Sequence, residues 1–422
     1  MEQHILVVSQ YFHPEEFRIN DICREWVQRG HRVTVVTGIP NYPQGRFYKG
    51  YGLFRGRREE YGGVNVMRLP IVPRGRGAAM LALNYLSFVA SGFLWKSFTG
   101  LKADKVFIFE VSPLTQALVG VWYAKRRGVP CAIYVQDLWP ENLEAVGGIH
   151  NRHILGAVDK MADYIYRNCS RILATSPSFV SRLEERGSAW EAGRSKVAYW
   201  PQYAEGFYRP AERVPLPDMP CSGRFRVAFT GNIGYSQGLE VLPRAALLLR
   251  QAGVPCEFVV IGDGRYREGL LGEIESRGVG EMFRLPGRKR PEEIPGYLAW
   301  CDAAFISFAE SPLFGMTIPA KLQSYMACGM PILAAATGET RRIVREARCG
   351  ACCDVGDGQA LAGIITEMAH AGPERLSDMS RNALGYCREH FGKDMLMARM
   401  DWNISWQRYS LGPRLSKKGG RT

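Results

Sequence analysis

The sequence predicts an α/β protein with two doubly wound, Rossmann-like domains that face each other across a cleft. Three observations support this fold class. The chain has 422 residues, enough for two or three domains. Apolar strand-like runs alternate with amphipathic helical stretches almost throughout, a pattern typical of parallel sheets covered by helices on both faces. A proline-rich segment interrupts this alternation at residues 200–223, after which the alternation restarts.

The first half of the chain contains seven apolar runs of strand length. They span 4–9, 32–37, 64–69, 105–110, 131–135, 171–175 and 196–199. Helical stretches fit between them, for example "LTQALVGVWYAKRRG" at 114–128, which ends in basic residues and a glycine as helix C-termini do. We therefore predict an N-terminal domain at residues 1–200.

The stretch after this domain carries five prolines in "WPQYAEGFYRPAERVPLPDMPCSG" and is predicted to be a linker over 201–223. A second domain is predicted at 224–392. Its strands read as "FRVAFTG", "CEFVVIGDG", "MFRLPG", "AAFISF", "PILAAA" and "GACCDV". Residues 393–411 are predicted to form a helix that packs back on the first domain. Residues 412–422 are predicted to be a disordered basic tail.

The composition indicates an anionic partner. The net charge is +13, from 54 basic and 41 acidic residues, which suits a nucleotide, a nucleic acid or a membrane surface. The basic residues are scattered and no basic helix with interleaved aromatics stands out, so we expect no nucleic acid. The 11 cysteines lie mostly in apolar runs and show no zinc-like spacing. We expect no metal, a reducing cytoplasm and, because a strand begins at once, no signal peptide.

A long apolar segment, "AAMLALNYLSFVASGFLW" at 78–95, raises the question of membrane contact. Its length approaches that of a bilayer span, but Asn84 and several small polar positions dilute it, so the sequence favours a buried or interfacial helix. Arg74 and Arg76 before it and Lys96 after it would suit contact with the inner leaflet.

A lysine stands at an unusual place in "FGMTIPAKLQSYMACGMP", residues 314–331. The stretch predicts a short helix with Lys321 in its first turn, where the helix dipole already disfavours a cation. One interpretation is an anionic ligand shared by Lys321 and the free N–H groups of that turn. The alternative is a solvated surface lysine.

A glycine-rich turn follows the first strand of the second domain, in "TGNIGYSQGLE" at 230–240. Glycines there let backbone N–H groups approach a phosphate. The spacing is neither GxGxxG nor a P-loop, and a simple tight turn remains the alternative. Arg288, Lys289 and Lys321 also follow strands of this domain. A parallel sheet would present all of them at one edge, where a diphosphate could bind.

The whole chain resembles the GT-B glycosyltransferases of the retaining family GT4. Within them it looks most like the bacterial surface-polysaccharide branch of L-fucosaminyltransferases, which transfer N-acetyl-L-fucosamine. The supporting motifs are "VVSQYFHPEEFRINDI" (7–22), "RGHRVTVVTGIPNYPQGRFYKGY" (29–51), "VQDLWPE" (135–141), "TGNIGYSQGLE" (230–240), "FVVIGDG" (258–264), "IPAKLQSYMACGMPILAA" (318–335) and "TGETRRIV" (337–344).

The resemblance implies a UDP-sugar in the C-terminal domain and, in the N-terminal domain, a polyprenyl-diphosphate-linked saccharide presented at the inner membrane face, with no metal or other cofactor. The implied donor-binding residues are Gly231, Asn232, Gly234, Gln237, Arg288, Lys321, Ser324 and Glu339. Many relatives carry an arginine and a lysine where Asn232 and Gln237 stand here. Lys321 and Arg288 are therefore the expected counter-charges.

A second departure concerns two family glutamates eight positions apart, which contact the sugar and the ribose. The matching positions here are Met316 and Ser324, and the nearest acid is Glu310. A serine cannot form the bidentate contact of a carboxylate. This departure leaves reduced or lost activity as an open alternative.

The predicted catalytic residues are Asp137, Glu141 and Glu310, with a helix N-cap as the alternative role of Asp137. The predicted acceptor-side loop follows the first strand. Its polar residues are His13, Glu15, Glu16 and Arg18.

Two other functions remain open. A nucleotide-sugar 2-epimerase would share the GT-B architecture and bind a UDP-sugar without a lipid acceptor. A degenerate transferase acting as a partner subunit is suggested by the missing glutamate pair. A dehydrogenase is less favoured because no GxGxxG follows the first strand.

Overall fold

The computed structural model describes residues 2–145 and 147–404. The N-terminal domain contains strands β1 (His4–Val8), β2 (Arg32–Gly38), β3 (Arg58–Tyr61), β4 (Val64–Leu69), β5 (Lys105–Glu110), β6 (Cys131–Val135), β7 (Arg171–Ala174), β8 (Trp190–Glu191), β9 (Arg194–Ser195) and β10 (Val197–Tyr199). Its helices are α1 (Arg18–Gln28), α2 (Ala78–Phe98), α3 (Ala117–Arg127), α4 (Glu141–Ala145), α5 (Arg152–Asn168) and α6 (Pro177–Glu184).

The C-terminal domain contains strands β11 (Phe225–Asn232), β12 (Cys256–Asp263), β13 (Phe283–Gly287), β14 (Ala303–Ser307), β15 (Ile332–Ala335) and β16 (Gly350–Cys353). Its helices are α7 (Val241–Gln251), α8 (Arg267–Ser276), α9 (Ile294–Leu298), α10 (Pro312–Gly315), α11 (Ala320–Ala327), α12 (Gly338–Glu346), α13 (Gly358–His370) and α14 (Gly372–Phe391). Helix α15 (Lys393–Ile404) follows.

The first sheet has the strand order β10-β7-β6-β5-β1-β2-β4-β3. All its neighbours pair in parallel except β3 and β4. Strand β1 lies centrally: Ile5 pairs with Val33 on one side and with Lys105 on the other. The sequence did not predict β3, because its residues "REEY" form no apolar run. Such a charged strand suits the edge of a sheet, where it discourages pairing with another chain.

The second sheet is entirely parallel, in the order β13-β12-β11-β14-β15-β16. This is the order of a doubly wound nucleotide-binding domain, so the predicted fold class is confirmed. In such sheets the order in which strands are added reverses between the first and the fourth strand. Ligands bind there, outside the carboxyl ends of these two strands. The equivalent strands here are β11 and β14, and the glycine turn follows β11.

The two domains are joined by packing as well as by the linker. Leu396, Met397 and Met400 of α15 pack in the same buried cluster of the N-terminal domain as Trp26. In the other direction, Leu313 of α10 is buried in the second N-terminal cluster, and Met316 packs against it. The remainder of the predicted last helix, 405–411, and the tail at 412–422 lie outside the described residues.

By length and composition, one helix among the described residues could cross a membrane: α2, with a mean hydropathy of 1.5. The alternative of a buried helix is wrong for most of α2, because only three of its residues are buried: Asn84, Phe88 and Gly92. The nine exposed residues are all apolar: Ala78, Ala79, Ala82, Leu83, Leu86, Ala90, Phe93, Leu94 and Phe98. We call these nine residues the α2 stripe.

Candidate active site in the interdomain cleft

The glycine turn forms the floor of the C-terminal half of the candidate site. Gly231 and Gly238 have φ angles of +123° and +58°, in a region that favours glycine. A Cβ atom on Gly238 would lie 2.7 Å from the carbonyl oxygen of Phe308, which follows β14. The glycine therefore allows the turn to pack against the end of β14. Asn232 is exposed beside this turn.

Lys321 lies against the same turn. It occupies the first turn of α11, as predicted, and its Nζ donates a hydrogen bond to Oε1 of Gln237. The ammonium group also stands 4.0 Å from the centre of the Phe229 ring, close enough for a cation–π contact. Burial lowers the pKa of Lys321 to about 7. The alternative of a solvated surface lysine is therefore wrong, since the side chain is half-buried beside the glycine turn.

Arg288 approaches the cleft from the end of β13. Its guanidinium lies 3.9 Å from the carboxylate of Glu16 in the N-terminal domain, and both side chains are mostly exposed. An exposed pair of this kind contributes little to stability. Arg288 and Glu16 therefore stay accessible to a ligand at the mouth of the cleft. The neighbouring Lys289 is instead paired with Asp218 of the linker at 2.7 Å.

Ser324 is less accessible than a donor contact requires. It is buried, its Oγ donates a hydrogen bond to the carbonyl of Ala320 at 3.1 Å, and Tyr208 of the linker lies beside it. Met316, the other position where the family resemblance implies a glutamate, packs its side chain against the N-terminal core. Neither position presents an acid to the cleft, and Glu310 lies exposed on the loop after β14.

Glu339 connects the domains. Its Oε1 accepts hydrogen bonds from the backbone N (2.9 Å) and the Oγ (2.6 Å) of Ser178 at the start of α6. Its Oε2 accepts from Nε of Arg342 at 3.0 Å. Ser176 adds a second contact, donating from Oγ to the carbonyl of Met316 at 2.6 Å. The predicted donor-binding role is not supported here, because both carboxylate oxygens of the buried Glu339 are already engaged.

Two carboxyl groups lie together in the N-terminal half of the site. Asp137, just after β6, accepts hydrogen bonds from the backbone N (2.9 Å) and Oγ (3.1 Å) of Ser112. Glu110, at the end of β5, accepts from Nε1 of Trp139 at 2.9 Å. Burial raises the pKa of both carboxyls. The alternative N-cap role of Asp137 is not what the hydrogen bonds show, since its side chain accepts both bonds from Ser112.

Glu141, the second predicted catalytic acid, begins α4. Nε of Arg182 lies 2.8 Å from its Oε1. The carboxylate is therefore neutralised by an arginine of α6, which makes it a poor general base.

The loop after β1 is largely structural. Oε1 of Glu15 accepts from the backbone N of Asn41 at 2.8 Å and of Tyr42 at 2.6 Å. Glu15 is only 2% exposed, and burial raises its pKa to about 7. The prediction that Glu15 contacts the acceptor is thus corrected: its carboxylate holds the turn "PNYPQG", a motif without an evident role in the sequence alone.

His13 and Arg18 are also engaged within the protein. The His13 ring stacks on Tyr61 with 3.8 Å between centroids, and burial lowers its pKa. Arg18 is 3.2 Å from Glu205 of the linker, and its side chain is 9% exposed. Of the four predicted acceptor-side residues, Glu16 is the one that the structure leaves exposed at the cleft.

Sequence reasoning missed several residues of this region: Glu110, Ser112, Ser178, Tyr208 and Phe229. Glu110 could have been recognised in the sequence as a candidate site residue, because an isolated acid at the end of a buried apolar strand needs a partner. The others gave none, because serines and aromatics are common in such loops. Among residues 2–145 and 147–404, no three His, Cys, Asp or Glu side chains are grouped to hold a metal.

Two family models match this chain. The "Glycosyl transferase 4-like domain" matches residues 16–201, and "Glycosyl transferases group 1" matches residues 221–385. The matched ranges correspond to the two domains described above and leave the linker between them.

Curated relatives share about a quarter of their residues with the chain. WbjE of Pseudomonas aeruginosa, described as a glycosyltransferase, is 28% identical over 61% of this chain and 64% of its own length. WcaI of Escherichia coli (strain K12) carries the description of a colanic acid biosynthesis glycosyl transferase. It is 27% identical over 77% of this chain and 81% of its own length.

Solved structures match nearly the whole chain. HepE from Anabaena, in complex with UDP and glucose, superimposes with a TM-score of 0.68 at 16% identity, covering 96% of this chain and 100% of that structure. WaaG, a glycosyltransferase involved in lipopolysaccharide biosynthesis, gives a TM-score of 0.66 at 13% identity with 96% and 100% coverage. At these identities the likeness shows the shared fold.

Proposed function

The chain belongs to the GT-B glycosyltransferases, and from this premise we propose that it moves a sugar from a UDP-linked donor to a lipid-linked saccharide in surface polysaccharide synthesis. Membership of the family confirms the resemblance and the enzyme class predicted from the sequence. The L-fucosaminyl branch, and with it N-acetyl-L-fucosamine as the sugar, stays a prediction.

One observation carries the donor proposal: Lys321 and the glycine turn lie together at the carboxyl ends of β11 and β14. A diphosphate there would meet a cation, the N–H groups at the start of α11 and a turn without side chains at Gly231 and Gly238. Titratable groups with shifted pKa values are also typical of functional sites. The presence of UDP in the related HepE structure supports a uridine nucleotide as the donor.

The same groups suit a retaining transfer without a strong enzymic base. As the bond between the anomeric carbon and the leaving phosphate oxygen breaks, the acceptor oxygen bonds to the same face of the sugar. The acceptor proton passes to the departing phosphate. Lys321 and the backbone N–H groups stabilise the negative charge that develops on the leaving diphosphate. Asp137 is the proposed polar contact to the sugar from the opposite domain.

The lipid-linked acceptor is supported by α2. In a water-facing helix the polar residues point outward, but here Asn84 points inward and bonds to Gln10 and to the carbonyl of Val72. The α2 stripe faces outward instead. An apolar surface of this length is typical of a site that contacts another apolar phase. We propose that this phase is the inner face of the cytoplasmic membrane.

Polysaccharide synthesis as the process is supported by the relatives. The description of WcaI names colanic acid, and AmsK of Erwinia amylovora, 27% identical over 52% of this chain and 53% of its own length, is described by amylovoran biosynthesis.

A second candidate, a degenerate transferase that acts as a partner subunit, is favoured by one observation. Met316 and Ser324 occupy the two positions where the family resemblance implies glutamates, and both side chains are turned into packing. This candidate predicts that the protein binds no nucleotide sugar or turns none over. A 2-epimerase would instead bind the UDP-sugar and leave the α2 stripe unexplained.

The first experiment measures thermal shifts with UDP, GDP and their sugars for the wild type, Lys321→Ala and the control Lys160→Ala. Lys160 is exposed on α5, so its loss leaves the cleft unchanged. We expect UDP to raise the melting temperature of the wild type and of Lys160→Ala, and to raise that of Lys321→Ala much less. No shift with any nucleotide would favour the partner subunit.

A further inference from the structure

A second cavity lies away from the cleft, between the C-terminal half of α2 and the β3–β4 hairpin. Its volume is about 520 Å³, within the usual range of small-molecule pockets. The argument below uses five of its lining residues: Arg57, Arg58, Leu94, Trp95 and Phe98. We call this cavity the α2 groove.

The groove is cationic at one end. Arg57 donates hydrogen bonds to the carbonyls of Arg68 and, at 2.9 Å, of Leu53, which hold its guanidinium in place. The guanidiniums of Arg57 and Arg58 repel each other. This repulsion, together with burial, lowers the pKa of Arg57. No carboxylate lines the groove to offset them. Two neighbouring arginines without an acid are a good match for a phosphate, because their planar forks suit its oxygens.

The opposite wall is apolar and aromatic. Nε1 of Trp95 bonds to Sδ of Met67 at 3.0 Å, and the Trp95 ring stacks on Tyr123 with 5.4 Å between centroids. The indole is thus fixed in one orientation. Phe98, 85% exposed, extends this wall to the surface. A hydrocarbon chain that follows a phosphate would have a rigid apolar surface to lie on.

The groove is continuous with the surface that we assign to the membrane. Leu94 and Phe98 belong both to the α2 stripe and to the lining of the groove. A lipid could therefore pass from the bilayer into the groove without its chain crossing water, which favours a membrane lipid over a soluble anion.

We propose that the α2 groove binds the phosphorylated end of an isoprenoid lipid, with the phosphate on Arg57 and Arg58 and the chain along Leu94, Trp95 and Phe98. A single chain and its phosphate suit the volume better than the two chains of a phospholipid. The inference rests on the proposed function, because the acceptor there is carried by a lipid of this class.

The test is a calorimetric titration of the full chain with farnesyl phosphate, a short soluble probe, below its aggregation limit. Farnesol and inorganic phosphate serve as the two halves of the ligand. We expect saturable one-to-one binding of farnesyl phosphate, much weaker binding of farnesol and none of inorganic phosphate. Arg58→Ala should weaken farnesyl phosphate binding about tenfold, because a charge-assisted hydrogen bond is lost. Phe98→Ala should weaken it several-fold.

Two controls separate the groove from the rest of the surface. Leu86→Ala removes an exposed residue of the α2 stripe outside the groove, and Arg167→Ala removes an exposed arginine on α5. Both should bind farnesyl phosphate as the wild type does. Each variant is also tested for its thermal shift with UDP. An unchanged UDP shift in Arg58→Ala shows that the donor site is intact, so the groove and the proposed function can fail separately.

Three results would overturn the inference. Farnesyl phosphate affinity that is the same in Arg58→Ala and the wild type would exclude the phosphate contact. Equal losses in Leu86→Ala and Phe98→Ala would indicate unspecific adsorption along α2. A concentration-dependent dimer in analytical ultracentrifugation that Phe98→Ala dissociates would show that a second copy of the chain covers the groove.

Discussion

Lys321 donates a hydrogen bond from Nζ to Oε1 of Gln237, which joins the first turn of α11 to the glycine turn after β11. These two residues are 84 positions apart in the chain. The family resemblance implies a basic residue at the position of Gln237, and two cations would then share the site. Here an amide replaces one of them and accepts from the other. Lys321 therefore supplies the positive charge beside the glycine turn, and its partner Gln237 is uncharged.

We predict that UDP affinity falls as the pH rises above about 7, by up to about tenfold per pH unit. Burial lowers the pKa of Lys321 from 10.5 to about 7, so the free protein loses the ammonium charge above that pH. A bound diphosphate favours the charged form, and binding there takes up a proton. Calorimetry in buffers of different ionisation enthalpy would measure this uptake.

Lys321→Ala should bind UDP weakly and with little dependence on pH in the same range, and Lys160→Ala should follow the wild type.

The lowered pKa of Lys321 also predicts how the stability of the folded protein depends on pH. Between about 7 and 10.5 the unfolded chain keeps a proton that the folded protein has lost, so this residue makes the protein more stable as the pH rises through that window. A UDP affinity that rises with pH in the wild type would contradict the assignment.

We predict that Glu339→Ala lowers the free energy of unfolding by about 2 kcal/mol. The substitution leaves the Ser178 hydrogen bonds and the Arg342 ion pair without their acceptor, at a contact that links the two domains. Urea unfolding measures the loss. Small-angle scattering should show a larger radius of gyration, because the interdomain contact is weakened.

The matched control is Glu346→Ala. Glu346 pairs with the same arginine, Arg342, at 2.6 Å, but its side chain is 48% exposed and it lies at the end of α12. We expect a loss below about 0.5 kcal/mol and an unchanged radius of gyration. Equal effects of the two substitutions would show that Arg342, rather than the contact with Ser178, is what matters.

We predict that Leu86→Asp releases the protein from vesicles of phosphatidylcholine and phosphatidylglycerol in a flotation assay. Leu86 is 61% exposed in the middle of the α2 stripe, and a charge there opposes insertion into an apolar phase. Leu248→Asp on α7 is the control, since Leu248 is 36% exposed in the other domain. Both variants should unfold at similar temperatures.

Charge reversal of the arginines before α2 gives a second arm of this experiment. Nη1 of Arg74 donates to the hydroxyl of Tyr11 at 2.9 Å, so Arg74 is tied to the protein. Arg76 is exposed. We therefore expect Arg76→Glu to weaken binding to anionic vesicles, an effect that added salt should imitate. Vesicle binding by Leu86→Asp equal to that of the wild type would rule out the α2 stripe as the contact.

Much of the fold follows from local patterns in the sequence. Parallel strands buried on both faces read as short apolar runs, which is why β1, β2 and β4 were predicted to within about a residue. Edge strand β3 was not predicted, because its charged residues carry no such signal. The unusual position of Lys321 likewise showed in the sequence, since a cation in the first turn of a helix opposes the dipole wherever that helix lies.

The partners of the site residues were decided by the tertiary structure. The sequence contains Glu15, Ser324 and Glu339 but does not show their contacts. Glu15 holds the Asn41–Tyr42 turn, Ser324 lies beside Tyr208, and Glu339 bridges to Ser178. Such contacts join residues that are far apart in the chain, such as Ser178 and Glu339, which are separated by 161 positions. They depend on how two independently patterned domains pack together. The outward direction of the α2 stripe has the same origin: composition determined that α2 is apolar, whereas the inward hydrogen bonds of Asn84 determined which side of it faces the protein.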